Sequence, residues 1–263
     1  MAVSKAQCKS AVTLSFRMGE LLLRSGAEIF RVQETMERVA HAYNVEEYDV
    51  YVLSNAIFAN AVENGEHTHS KLKFVPGSSV HLGRVDAINQ LSREITAGKH
   101  TVEEAFARLD AISRIPYTKS VYMVLSCGIG SACFSYLFGG SLKDTLAALL
   151  CGFILQIFLN LLDKHNASKF ITNLTSSSLV AFCAVVLFSL GLGDDPDKII
   201  IGSIIRLVPG IALTTSIRDF LGGDYLSGTI RMIDAFLIGG CIAIGVGVVV
   251  MLYTMLTGGV LPV

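Results

Sequence analysis

The chain has 263 residues, 52% of them apolar, with 22 acidic against 21 basic side chains and a mean hydropathy of +0.56. A near-zero net charge, with no basic stripe and no aromatic stacking platform, argues against a nucleic-acid binder, and so much apolar sequence argues against a single water-soluble domain. Most charged residues precede Lys119, so the sequence reads as two domains in two solvents: an α+β domain over 1–117 and an all-α membrane domain over 118–263.

The N-terminus carries Lys5, Lys9 and Arg17, then Glu20 and Arg24 within an amphipathic pattern. It lacks the clean apolar region and cleavage site of a signal peptide. Residues 4–25 predict a helix with a broad apolar face, Gly26 interrupts it, and 27–43 predict a second helix, with Ile29, Val32, Met36 and Val39 near helical spacing. The period then changes. Residues 48–53 and 56–62 are rich in β-branched and aromatic side chains, Asn64-Gly65 is a hairpin signal, and 67–75 predict the return strand, stopped by Pro76-Gly77. Helices follow at 82–97 and 101–113. Helices, then strands, then helices suggest helices flanking a small antiparallel sheet, not a doubly wound parallel one.

Beyond the junction Arg114, Pro116 and Lys119, a hydrocarbon core about 30 Å thick asks for about 20 apolar residues per helix. Five segments meet that need: 120–138, 142–162, 169–190, 197–217 and 230–256. With the N-terminal domain inside, Lys164, Lys169, Arg218 and Arg231 lie on inner loops and only Lys143 and Lys198 on outer ones. The basic bias therefore predicts an N-in, C-out protein of the inner (plasma) membrane with a cytoplasmic N-terminal domain.

Arg206 is the most informative residue of the bundle. It follows an isoleucine-rich run, roughly 12 Å into the fourth segment at 1.5 Å per residue. A charge at that depth costs at least about 3 kcal/mol on insertion scales. Three readings stand: a bidentate fork for a substrate carboxylate, an ion pair with an acid such as Asp234, or snorkelling to the interface. Pro209 and Gly210 follow, and they predict a kink or break that would free backbone groups for a substrate or ion. A packing kink is the alternative. Thr214, Thr215, Ser216, Arg218 and Asp219 continue toward the inner face, and Gly222-Gly223-Asp224-Tyr225 is either a re-entrant turn or gate, or a solvated loop in which Arg231 forms a salt bridge. Asp234 either pairs with Arg206, relays a proton, or is simply solvated near the interface. Asn173, with Gln156, Asn160, Thr175 and Ser176 to Ser178, lines a polar path or hydrogen-bonds between helices. Gly239, Gly240, Gly245 and Gly247 offer small faces for helix packing. The site residues expected to bind substrate are Arg206, Pro209, Gly210, Thr214 and Asn173; those expected to couple or gate are Arg218, Asp219 and Asp234.

Other chemistries find little support. Cys8, Cys127, Cys133, Cys151, Cys183 and Cys241 form no CxxC pair and read as free thiols. His67 and His69 alternate on one strand, fewer ligands than a metal site wants. Ser54, beside Asn55, would need a positioned base to act as a nucleophile. No nucleotide-binding loop, zinc-protease helix or serine-hydrolase elbow is present, so no enzyme and no cofactor are expected.

Several short motifs, in order, resemble a known family: Leu21-Leu22-Leu23-Arg24-Ser25-Gly26-Ala27-Glu28, Ser54-Asn55-Ala56-Ile57, Leu207-Val208-Pro209-Gly210, and Arg218-Asp219 with Gly222-Gly223-Asp224. Together they resemble the threonine/serine exporter family, including its two-component branch associated with export of C4-dicarboxylates such as succinate. The resemblance implies a secondary exporter of small carboxylate metabolites with a cytoplasmic N-terminal domain. Single-chain members of the family carry a second block of about five spans. This sequence stops at Val263, which implies a separately encoded small membrane partner and an oligomeric assembly. The resemblance assigns no substrate contacts. A non-transporting sensor or scaffold, whose soluble domain binds a ligand or partner, is the rival reading.

Overall fold

The computed structural model describes residues 5–45, 47–63, 66–75, 80–165 and 167–257. The chain divides into two compact units, 1–117 and 118–263.

In the first unit, α1 (Lys5–Arg24) and α2 (Ile29–Ala42) precede β1 (Glu47–Val52), β2 (Ala56–Glu63) and β3 (Glu66–Phe74), and α3 (Leu82–Thr96) and α4 (Val102–Ser113) follow. The strands form one antiparallel sheet in the order β1-β2-β3. The hairpin signal Asn64-Gly65 and the stop Pro76-Gly77 lie outside the described residues.

Helix α1 is the hub. It meets α2, α3, α4, β2 and β3, and its Leu14, Met18, Leu22 and Leu23 are fully buried. Burying each such side chain is worth about 1.5–3 kcal/mol. Gly26 turns the chain at φ +76°, a left-handed conformation that suits glycine, while Ala27 N–H donates back to Leu22 O at 3.0 Å. The β1 residues alternate exposed and buried, which turns Tyr48, Val50 and Val52 onto the core. One polar link crosses that core: the Ser15 hydroxyl donates to Met36 O at 2.7 Å and lies 3.1 Å from the Tyr48 hydroxyl.

The last residues of this unit are strapped to α3. The Arg84 guanidinium donates to Ile115 O at 2.8 Å and lies over the Tyr117 ring. The His81 ring caps α3 by accepting from Arg84 N–H and contacts Pro116 O at 3.3 Å.

The second unit contains α5 (Ser120–Leu137), α6 (Leu142–Lys164), α7 (Lys169–Ser189), α8 (Pro196–Ile204), α9 (Gly210–Leu221) and α10 (Tyr225–Thr257). Four of these, α5, α6, α7 and α10, are long and apolar enough to cross a membrane. The remaining one of the five expected segments carries the break that Pro209 and Gly210 predict. The segment expected as one helix over 197–217 is two short helices, α8 and α9, separated at Ile205–Pro209. The physical cause is Pro209, which has no N–H to donate and whose ring displaces the preceding turn. Leu207 N–H tightens onto Ile204 O at 2.8 Å, Gly210 N–H closes onto Val208 O at 2.9 Å, and α9 restarts there. The last helix also begins earlier than the expected 230. Its 33 residues span about 50 Å at 1.5 Å each, well beyond a hydrocarbon core of about 30 Å.

Burial pushes the Tyr48 phenol up to about 12, against 10 for the free group. Below pH 10 both folded and unfolded forms are neutral; between 10 and 12 only the unfolded form ionises, so stability falls across that window. Ultraviolet titration of tyrosinate should show a late step that Tyr48→Phe removes. A titration unchanged by that substitution would contradict the burial.

Candidate functional site

The break between α8 and α9 and the first turns of α9 hold four of the expected site residues. Arg206 lies in the turn after α8, exposed, and makes no hydrogen bond or ion pair with any described residue. Its charge is near enough to act on the Cys127 thiol of α5. Its neighbour Leu207 turns inward and packs with Cys127, Leu155, Val180 and Ile242, pinning the break to α5, α6, α7 and α10. Pro209 is the N-cap of α9 with φ −80° and ψ 49°, and as an imino residue it supplies no capping side chain. The backbone of Gly210 is exposed at the start of α9. The Thr214 hydroxyl is occupied, donating to Gly210 O at 3.0 Å.

Of the other expected residues, Asp219 and Asp234 lie in ion pairs. Asp234 meets the Lys169 ammonium at 2.6 Å, so the pairing considered between Asp234 and Arg206 is not formed. Asn173 sits one turn along α7 and donates to Lys169 O at 2.7 Å. Asp219 Oδ2 lies 3.6 Å from Arg231 Nε across the α9–α10 turn, and both side chains are largely buried. Arg218, exposed, is engaged by its surroundings as well. The Gly222-Gly223-Asp224 loop is a tight helical turn: Gly223 takes φ +84°, Asp224 N–H donates to Asp219 O at 2.9 Å, and the Asp224 carboxylate caps α10 at Ser227 N–H.

The structure also brings forward residues that the sequence reading passed over. Asp144, 1% exposed, is the acid of a capping box with Ser141 at the start of α6. Its carboxylate also accepts from the backbone N–H of Asp194 at 2.7 Å and of Asp195 at 2.9 Å, and so holds the entry to α8. Lys143 and the Ser141 hydroxyl hold Asp194 beside it at 2.9 Å each, and this hydrogen bonding keeps the Asp194 carboxyl below its usual range. The spacing Ser141-x-x-Asp144 signalled a helix start, but nothing local announced the long-range acceptor. The Gln156 amide, 2% exposed, donates to Asn160 Oδ1 at 3.0 Å, and the Asn160 amide donates to the Ser120 hydroxyl at 2.7 Å. Of the expected polar groups, these link α6 to α5. Of the expected small faces, Gly245 packs directly on Ser177, whereas a Cβ on Gly239, Gly240 or Gly247 would meet nothing within 4 Å.

Among the described residues, no group of three His, Cys, Asp or Glu side chains could hold a metal ion; the side chains of His67 and His69 lie outside the described set. The Ser54 hydroxyl is buried with no hydrogen-bond partner among the described residues, so no described base activates it.

A family model described as "Putative threonine/serine exporter" (ThrE) matches residues 13–253. The "Threonine/serine exporter" of Corynebacterium glutamicum is 25% identical over 95% of this chain and 53% of its own length. The "Probable threonine/serine exporter" of Mycobacterium tuberculosis is 25% identical over 90% of this chain and 45% of its own. The chain thus spans about half the length of these two relatives. The "Probable succinate transporter subunit YjjP" of Escherichia coli is 24% identical over 94% of this chain and 95% of its own length. No solved structure matches.

Replacing Asp144 by Ala strands the backbone donors of Asp194 and Asp195, at about 1–3 kcal/mol for each buried unsatisfied group. Hydrogen exchange at those two amides should accelerate well beyond the global rate, and Asp144→Asn, which retains an acceptor oxygen, should have the smaller effect. Unchanged exchange in Asp144→Ala would mean that the carboxylate does not hold the loop.

Proposed function

The chain belongs to the threonine/serine exporter family, and on that premise we propose that it is the substrate-binding membrane subunit of a secondary exporter for small carboxylate metabolites, either serine and threonine or a C4-dicarboxylate such as succinate. The observation that carries the reading is Arg206: a guanidinium beside a helix break in an apolar segment, with no partner among the described residues. A charge kept at such a position without an internal acid is suited to an anion that comes and goes, and a guanidinium takes a carboxylate bidentately. Pro209 and Gly210 keep the backbone open beside it, and Thr214 and Asn173 offer neutral polar groups farther along the route. The Asp219–Arg231 and Asp234–Lys169 pairs, with Arg218, are the coupling and gating groups. Protonating either carboxylate would release a cation at the α9–α10 turn or at the start of α7.

The protein sits in the inner (plasma) membrane with its N-terminal unit in the cytoplasm, an orientation supported by the basic residues at one set of helix ends. The α8–α9 pair crosses as a discontinuous span. Arg206 is exposed on this chain, so a second membrane subunit or a second copy covers it; the relatives named as succinate transporter subunits support a partner.

Efflux of labelled serine, threonine and succinate from proteoliposomes, with and without a candidate partner subunit, tests the reading. Arg206→Ala should lose a charged hydrogen-bond pair worth about 1.5–3 kcal/mol, a roughly ten- to hundred-fold drop in flux at normal membrane abundance. Arg206→Lys keeps the charge without the fork and should lie between. Wild-type flux through Arg206→Ala would remove the residue from the site, and no flux of any of the three solutes through the wild-type complex would remove the exporter reading.

A further inference from the structure

Two helix seams in the second unit are built alike and finished differently. Between α7 and α10, a Cβ on Gly245 would stand 2.6 Å from Leu174 O and 3.0 Å from the Ser178 hydroxyl, so the helices are in direct contact. The two serines beside Gly245 are satisfied, although Ser176 on the same helix is buried without a partner among the described residues. Ser177 donates to Leu174 O at 3.0 Å, and Ser178 lies 2.9 Å from Leu174 O and 3.2 Å from Gly245 O. Where α8 meets the α5–α6 pair, Gly202 takes the same part against α5, and Gly152 brings α6 onto α5 beside it. A Cβ on Gly202 would stand 2.6 Å from Ser135 N and 2.8 Å from Ser131 O, and one on Gly152 would stand 2.8 Å from Gly128 Cα. Here the hydroxyls are not satisfied. Ser131, Ser135 and Ser203 are 0–1% exposed, and none has a hydrogen-bond partner among the described residues. Ser131 and Ser203 have the thiols of Cys127 and Cys151 as neighbours, which are weak partners at best.

A serine bonded to a carbonyl in an apolar bundle is helix-packing glue. An orphan buried hydroxyl is a cost, about 1–3 kcal/mol each. Three at a single seam weigh against the closed arrangement and in favour of one in which α8 stands away and a polar molecule reaches them. The fold permits that movement. Helix α8 has only 9 residues, its start is held through the Asp144 carboxylate, and its end is cut from α9 by the break that carries Arg206.

We propose that the seam between α8 and the α5–α6 pair is the permeation path, closed in this structure, and that Ser131, Ser135 and Ser203 line it as hydroxyl partners for a small solute bearing hydroxyl or carboxylate oxygens. This rests on the transport reading above and adds to it the route and the moving helix.

The test places single cysteines at Ser131, Ser135 and Ser203, and at Ser177 in the satisfied seam as a control, in a chain whose six native cysteines are alanine. Modification by a small membrane-impermeant methanethiosulfonate is followed in the assembled exporter, and flux of serine, threonine and succinate is measured on the same vesicles. The seam positions should react about tenfold faster than the control, as expected for a locally opening segment, and a transported solute should change their rates. Seam thiols as unreactive as the Ser177→Cys control, in protein that carries flux, would overturn the path and leave the transport reading intact. Absent flux in the wild-type complex would overturn the transport reading, and fast seam labelling there would still support a water-accessible path.

The combined Ser131→Ala, Ser135→Ala and Ser203→Ala variant covers the case in which the cysteine variants fold badly. Removing orphan donors should raise the melting temperature and, by favouring the closed seam, slow flux about tenfold or more. A lower melting temperature with unchanged flux would mean that the hydroxyls serve packing alone.

Discussion

Hydrocarbon offers no hydrogen bonds, so a chain crossing it must satisfy its own backbone or break where something else can. Pro209 sets that constraint for the second unit. It removes a donor from the middle of an apolar run, and the chain answers with two tight turns and a new helix at Gly210. The break is fastened where Leu207 packs among Cys127, Leu155, Val180 and Ile242, and Arg206 beside it is exposed. An irregular backbone and an unneutralised guanidinium at one position are two costs that a packing kink alone would not require together, and that coincidence is what makes the α8–α9 pair the place to look for a ligand.

Around the break, polarity is used in two ways. Asp144 is buried but its carboxylate is filled by backbone donors from two loops, so it anchors α8 at its far end. The Gln156–Asn160–Ser120 chain likewise spends its amides on tying α6 to α5. Among the described residues of this unit the hydroxyls of Ser131, Ser135, Ser176, Ser203 and Ser227 are left over, and Ser131, Ser135 and Ser203 gather where α8 meets the α5–α6 pair. Satisfied groups hold an arrangement in place, whereas unsatisfied ones lower the cost of leaving it. The contrast with the α7–α10 seam shows that close glycine-mediated contact does not by itself force a serine to go without a partner.

The first unit obeys ordinary aqueous rules. An apolar hub helix, α1, is wrapped by helices on its sides and capped by a three-stranded sheet. Its outlet is shaped with care, since Arg84 and His81 between them hold Ile115, Pro116 and Tyr117.

Local pattern was enough for much of the architecture. Period-3.6 and period-2 hydrophobicity placed the helices and strands of the first unit within a few residues of α1 to α4 and β1 to β3, because each element's burial is set by its own repeat. The apolar runs likewise marked α5, α6, α7 and α10, and Pro209-Gly210 marked the weak point of the segment between α7 and α10. The sequence could not say whether that weak point was a bend or a full break, since the answer depends on whether packing of Leu207 offsets the lost hydrogen bonds. Nor could it pair charges. In sequence Asp234 is far nearer to Arg206 than to Lys169, which lies 65 residues away, and only the placement of α10 against α7 sent it to Lys169. The same holds for Asp144, readable as a helix cap and not as the acceptor for a loop about fifty residues away. Periodicity is a property of one element and survives in the sequence; hydrogen-bond satisfaction belongs to pairs of elements and exists only once they have met.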